Sequence, residues 1–242
     1  MPTVTPTQPP KSVAQAFWRF AIPSIVAMLV SGLYQIIDGF FVGHYVGSEG
    51  LAGINMAMPL LGLIMGFGLL IGMGGGSVLS QYRGENNDSA TRSTLVTALF
   101  LVVGIGLLAS LVFTALGKSS LHLQGATGNT LMLSWQYVEI MSYGALISIG
   151  ASAMPMLVRN DDSPNMATLF IVVGALLNIV LDYIFLGTLG MGLKGAAVAT
   201  LIAQLATCVS ISPRLKQKPF YRSVSLIKTL PNGLYSLGRR TW

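Results

Sequence analysis

Two aspartates stand where an acid is hardest to keep. Asp38 lies inside an apolar stretch of about residues 17–46, and Asp182 inside another of about 166–186. An ionisable side chain at the centre of a lipid-embedded helix costs roughly 2.5 to 3.5 kcal/mol on insertion scales, so each needs a partner or a task. Asn178 precedes Asp182 by one helical turn and shares its face. Gln35 lies three residues before Asp38, on a neighbouring part of that face. Two helices thus each present a carboxylate with an amide nearby, and facing one another they would enclose a polar pocket in the outer half of a bundle. Such a pocket can share a proton, since two like charges in a low dielectric repel, or hold a cation whose shell is completed by amide and hydroxyl oxygens. Either event changes the local charge and can bias a bistable helix. The plainer alternative is a hydrogen bond serving as helix-helix glue. Two aspartates with Asn178 in register favour the proton or cation site over glue.

Other chemistry is thin. Glu139, with Tyr137 close by, falls near the start of its apolar run and is expected at the interface, and Arg159 at a helix end is expected to snorkel. His44 and His122 lack metal-ligand company, and no Ser-His-Asp or Cys-His grouping is readable, so an enzyme is not expected. Gly117-Lys118-Ser119 has Val112 where a phosphate loop needs its first glycine. The lone Cys208 allows no internal disulfide.

The elements that would position the two acids follow from composition. Of 242 residues, 52% are hydrophobic and 9% charged, and the mean hydropathy is +0.68. A soluble domain carries about 25% charged residues, so this chain cannot coat a globule but can cap helices in lipid. A spanning helix needs about 20 mostly apolar residues. Six stretches qualify, at about 17–46, 51–80, 94–116, 131–158, 166–186 and 193–211. The expected fold class is therefore an all-α membrane protein, a six-transmembrane-helix bundle over 17–211. A polar N-terminus over 1–16 precedes it, and a basic tail over 212–242, broken by Pro213, Pro219 and Pro231, follows. Gly62/Gly66, Gly68/Gly72 and Gly72/Gly76 have the spacing of close helix packing. Pro23 and Pro155 can kink their helices.

The net charge of +6 reads as a topology signal, and nucleic acid is not an expected partner. Lys11, Arg19, Arg83, Arg92, Arg159 and the seven basic residues of the tail fall on one side of six spans; only Lys118 and Lys194 fall on the other. Both termini are expected in the cytoplasm, of a multi-pass protein in the cell (inner) membrane.

Four ordered stretches resemble the multidrug and toxic compound extrusion (MATE) family. They are Ile37 to Gly53 (IDGFFVGHYVGSEGLAG), Gly74 to Gly84 (GGGSVLSQYRG), Asn178 to Tyr183 (NIVLDY) and Met191 to Thr200 (MGLKGAAVAT). The resemblance runs from about Phe17 to Ile211. It implies a secondary exporter of organic cations or drugs in exchange for H+ or Na+, with no cofactor beyond the coupling ion. It also carries Asp38, Asn178, Asp182 and Thr200 into the cation or proton site, with Na+ as a candidate ligand there, and adds Tyr137. Lipid-linked oligosaccharide flippases of the same superfamily are the alternative within transport; few intramembrane Arg or Lys are present to line such a cavity. The family has about twelve spans in two lobes, whereas the resemblance here covers the N-terminal lobe only. The expectation is a truncated product, ahead of a half-transporter with a partner chain or an excised lobe; a lone lobe lacks the opposing wall that transport needs.

Overall fold

The computed structural model describes residues 13–160 and 164–217. Most of the expected polar N-terminus, the Asp161-Asp162-Ser163 stretch and the tail from 218 onward lie outside the described residues. Seven α-helices make up the rest: α1 (Val13–Tyr45), α2 (Ser48–Gly84), α3 (Asp88–Leu123), α4 (Gly128–Tyr143), α5 (Ala145–Asn160), α6 (Pro164–Asp182) and α7 (Gly192–Gln217), with a π-helical turn over Tyr183–Thr188.

Five helices among the described residues are long and apolar enough to cross a bilayer. The sixth apolar stretch is a bent pair: α4 and α5 meet at 65°. The protein is thus a multi-pass all-α membrane bundle, as composition requires. Its outer surface carries large apolar side chains such as Met28, Ile36, Leu70 and Leu111, each at least two-thirds exposed in the bare chain. Lipid is the natural cover for much of such a belt.

The break between α4 and α5 falls at Gly144, not at Pro155, which sits within a continuous α5. A Cβ on Gly144 would run into the Leu201 side chain of α7. The bend therefore makes room for the Leu201 side chain of α7, a relation the linear sequence does not display. Helices also outrun their apolar cores. α2 continues to Gly84 and α3 begins at Asp88, because Asn87 Oδ1 accepts the Ala90 N–H at 3.1 Å and Asn86 turns the chain with φ of 54°. α3 runs on through the expected connection at Gly117 to Leu123, anchored by fully buried Leu121.

α2 lies against α3, α4 and α5, and α7 closes the bundle against α4, α5 and α6. The glycine stripe explains the closest of these approaches. At Gly68 a Cβ would stand 2.7 Å from the Ile149 carbonyl oxygen, and at Gly72 it would stand 3.0 Å from the Ala153 backbone, both on α5. Gly62 and Gly66 meet nothing within 4 Å, so that one of the three pairs packs against no helix among the described residues. α1 is held differently: it packs chiefly along α6, with smaller contacts to α2, α7 and the π turn. Thr168 on α6 donates to the Pro23 carbonyl of α1 at 2.8 Å, a polar tie between them.

Candidate functional site

Where α1, α6 and α7 meet, the two aspartates face each other. Asp38 comes from the later half of α1 and is partly buried; Asp182 ends α6 and is fully buried. Their carboxyl groups are close enough for one proton to bridge them. The π turn starts at the next residue, with Leu189 N–H reaching back to the Ile184 carbonyl at 2.9 Å. A π turn widens the helix and re-aims the side chains at its edge, a distortion frequent at functional sites.

One turn before Asp182, Asn178 is also buried; its Nδ2 donates to Thr200 Oγ1 of α7 at 3.5 Å, while the Thr200 hydroxyl donates to the Ala196 carbonyl at 3.0 Å. Tyr137, buried on α4, brings its hydroxyl beside Thr200, with Asp38, Asp182 and Tyr34 around it. The five residues that the family resemblance assigns to the site thus gather in one place, from four helices.

The electrostatics are one-sided. Asp38 Oδ1, Asn178 Oδ1 and both Asp182 oxygens are buried and have no donor among the described residues. Buried acceptors are nearly always paired, because an unmade hydrogen bond costs about 1 to 3 kcal/mol. These four oxygens, one on α1 and three on α6, can be satisfied by a proton, a cation or water. Oxygen atoms of two carboxylates, an amide and hydroxyls are the donor set of a hard monovalent or divalent cation.

Two neighbours were not singled out from the sequence. Tyr34 lies one turn before Asp38 and couples electrostatically to both carboxylates. Gln204 lies one turn after Thr200 and accepts the Ser148 hydroxyl of α5 at 2.7 Å. The four-residue spacing from an already chosen residue would have found both. Gln35, chosen for its side-chain type, is exposed and takes no place in the pocket.

Comparison with known proteins points one way. The MatE family model matches residues 23–184. The multidrug export protein MepA of Staphylococcus aureus (strain MSSA476) is 25% identical over 220 residues, which is 91% of this chain and 49% of MepA. A crystal structure of MATE in the bent conformation superposes with a TM-score of 0.80 at 30% identity, over 86% of this chain and 46% of that one. MATE in the straight conformation gives 0.80 at 27% identity, over 92% and 53%. The chain spans about half the length of the relatives it matches.

Proposed function

Since the chain belongs to the MatE family, we propose that it is the ion-coupling lobe of a multidrug exporter that exchanges organic cations or drugs for H+ or Na+. The observation that carries this reading is the set of four unpartnered oxygens on Asp38, Asn178 and Asp182. A proton or Na+ supplies what they lack, and its arrival removes a repulsion between two carboxylates set on different helices. Asp38 and Asp182 are the ion-binding groups. Asn178 and Thr200 complete the shell, and Tyr137 closes it from α4. Because α1 is held mainly by α6, charge at this junction acts on how α1 lies against the rest of the lobe.

An exporter working by alternating access needs a second lobe across the substrate cavity. We assign this chain the N-terminal lobe, with 17–211 as the membrane bundle, 212–242 as a basic tail and both termini cytoplasmic. The opposing lobe is a partner for the transport step, whatever chain supplies it. The exporter reading is preferred to the flippase because the described core presents carboxylates rather than basic side chains to its centre.

The test is efflux of a fluorescent organic cation from vesicles containing the chain with its opposing lobe, driven by an imposed H+ or Na+ gradient. Gradient-driven efflux should be lost in Asp38→Asn and Asp182→Asn. Unchanged efflux in both variants would sink the coupling role.

A further inference from the structure

Beneath the carboxylate pair the structure continues into a space that shares Asn178 and Thr200 with the proposed site and runs on past them. It is a cavity of about 120 Å³ between α5, α6 and α7, bordered also by Tyr34 of α1 and Met65 of α2, with Asn178 and Thr200 at its upper end and Ser152, Gln204 and Thr207 farther in. α6 runs toward Asp182 and α7 away from that level, so the cavity extends toward the end where α6 begins and α7 finishes. From Thr200 to Thr207 is seven residues, about 10 Å along the axis.

The lining is mostly apolar, with a row of polar side chains along it whose hydroxyls act largely as acceptors toward the space. Thr200 donates its only hydroxyl proton to the Ala196 carbonyl at 3.0 Å, Ser152 to the Ser148 carbonyl at 3.0 Å and Thr207 to the Ala203 carbonyl at 3.0 Å. The Ser152 and Thr207 oxygens keep their lone pairs, while Thr200 Oγ1 already accepts from Asn178 Nδ2 at 3.5 Å. Asn178 has committed its amide to Thr200, and its Oδ1 has no donor. Water, hydronium or a small cation suits these oxygens, and the Gln204 amide and Tyr34 hydroxyl can donate to water in the same space. About 120 Å³ accommodates roughly four waters at liquid density, and a buried water needs two to four polar partners, which these side chains provide. No carboxylate lines this space, so an ion passing through it is not held as it is between Asp38 and Asp182.

We propose that this cavity is a hydrated inner branch of the site, through which the coupling proton or small monovalent cation passes between the Asp38–Asp182 pair and the far end of α6 and α7. The proposal rests on the coupling role assigned above. Glue alone, with Ser148 tying Gln204 across α5 and α7, requires no water here.

The experiment uses the full 242-residue chain in proteoliposomes, with Cys208→Ser as background and silver ion as the probe. Ser152→Cys and Thr207→Cys are near-isosteric and should react with Ag+ at least tenfold faster than Ala153→Cys, which is fully buried on α5 outside the cavity. Leu176→Cys, on the apolar outer surface of α6, should be as slow as Ala153→Cys. Ala203→Leu, which fills the cavity, should slow the Ser152→Cys reaction about tenfold. Ser152→Cys reacting no faster than Ala153→Cys overturns the proposal, as does an Ala203→Leu variant that leaves its rate unchanged. Labelling needs no transport, so the two readings fail separately. Loss of gradient-driven efflux in Asp38→Asn with an unreactive Ser152→Cys overturns the branch alone. Unchanged efflux with a reactive Ser152→Cys overturns coupling and upholds the hydrated cavity.

Discussion

Replacing Asp182 by asparagine should make the lobe more stable while ending its response to ions. In the native site four buried oxygens lack a donor, two of them on Asp182 itself. Asp182→Asn exchanges one of those acceptors for an NH2 group facing Asp38, and removes the repulsion between the two carboxylates. Satisfying one or two buried acceptors is worth about 1 to 3 kcal/mol. For a domain of this size each kcal/mol moves the melting temperature by about 2 to 4 °C, so a rise of roughly 2 to 12 °C is expected. The assay is thermal unfolding of purified protein in detergent at alkaline pH, without sodium. Acidification or added sodium should raise the wild-type midpoint, because a ligand that binds only the folded state stabilises it. The same additions should leave the variant nearly unmoved, so the gap between the two proteins narrows as protons or cations are supplied. A variant that melts at or below the wild type in alkaline, sodium-free buffer, or one that keeps the full sodium or acid response, refutes the reasoning.

Two packing predictions follow from the glycines. Gly68→Val and Gly72→Val should each cost about 1 to 3 kcal/mol or more, because the added atoms meet α5 backbone, and both should show as lost monodisperse protein; Gly62→Ala and Gly66→Ala, which meet nothing, should be within about 0.5 kcal/mol of wild type. Gly144→Ala drives a methyl into Leu201, one residue from Thr200, so it should lower the melting temperature by an amount equivalent to about 1 to 3 kcal/mol and weaken the stabilisation by sodium.

Charge was the legible part of the site. Asp38 and Asp182 stand out because an acid inside an apolar run is expensive, and Asn178 follows from a single helical turn. Thr200 carries no such signal: a threonine in a small-residue helix looks like packing, and only the family resemblance drew it in. Tyr34 was hidden for a related reason, since an aromatic residue in an apolar run reads as lipid-facing or core. Gln35 shows the opposite error: its amide suggested a ligand, but its position on α1 leaves it on the exposed side. Elements were legible as apolar runs, but their ends were not. α2 and α3 extend past the apolar limits because polar residues continue a helix outside lipid as readily as they end one. The break at Gly144 depends on Leu201, fifty-seven residues away, and the π turn after Asp182 has no local sequence mark.

The two polar links between α1 and α6 should prove separable, because they differ in what they respond to. Near one end Thr168 donates to the Pro23 carbonyl at 2.8 Å; near the other Asp38 meets Asp182. Fifteen residues separate Pro23 from Asp38, about 22 Å along the helix, far beyond the range at which mutational effects interact. Pro23 also lacks the N–H that would hold the preceding turn, which weakens α1 beside the first link. The Thr168 hydroxyl carries no charge at any pH, whereas under the proposed coupling role the aspartate junction changes charge with every proton or cation. Thr168→Val should therefore destabilise the lobe by about 0.6 to 1.7 kcal/mol, the range for hydrogen bonds between helices in membranes. It should leave the melting shift produced by sodium or acid unchanged. The double variant Thr168→Val/Asp182→Asn should show the sum of the two single effects, within about 0.5 kcal/mol. If Thr168→Val alone abolishes the sodium or acid shift, the two links are one coupled device, and the placement of ion sensing at the aspartate junction alone is wrong.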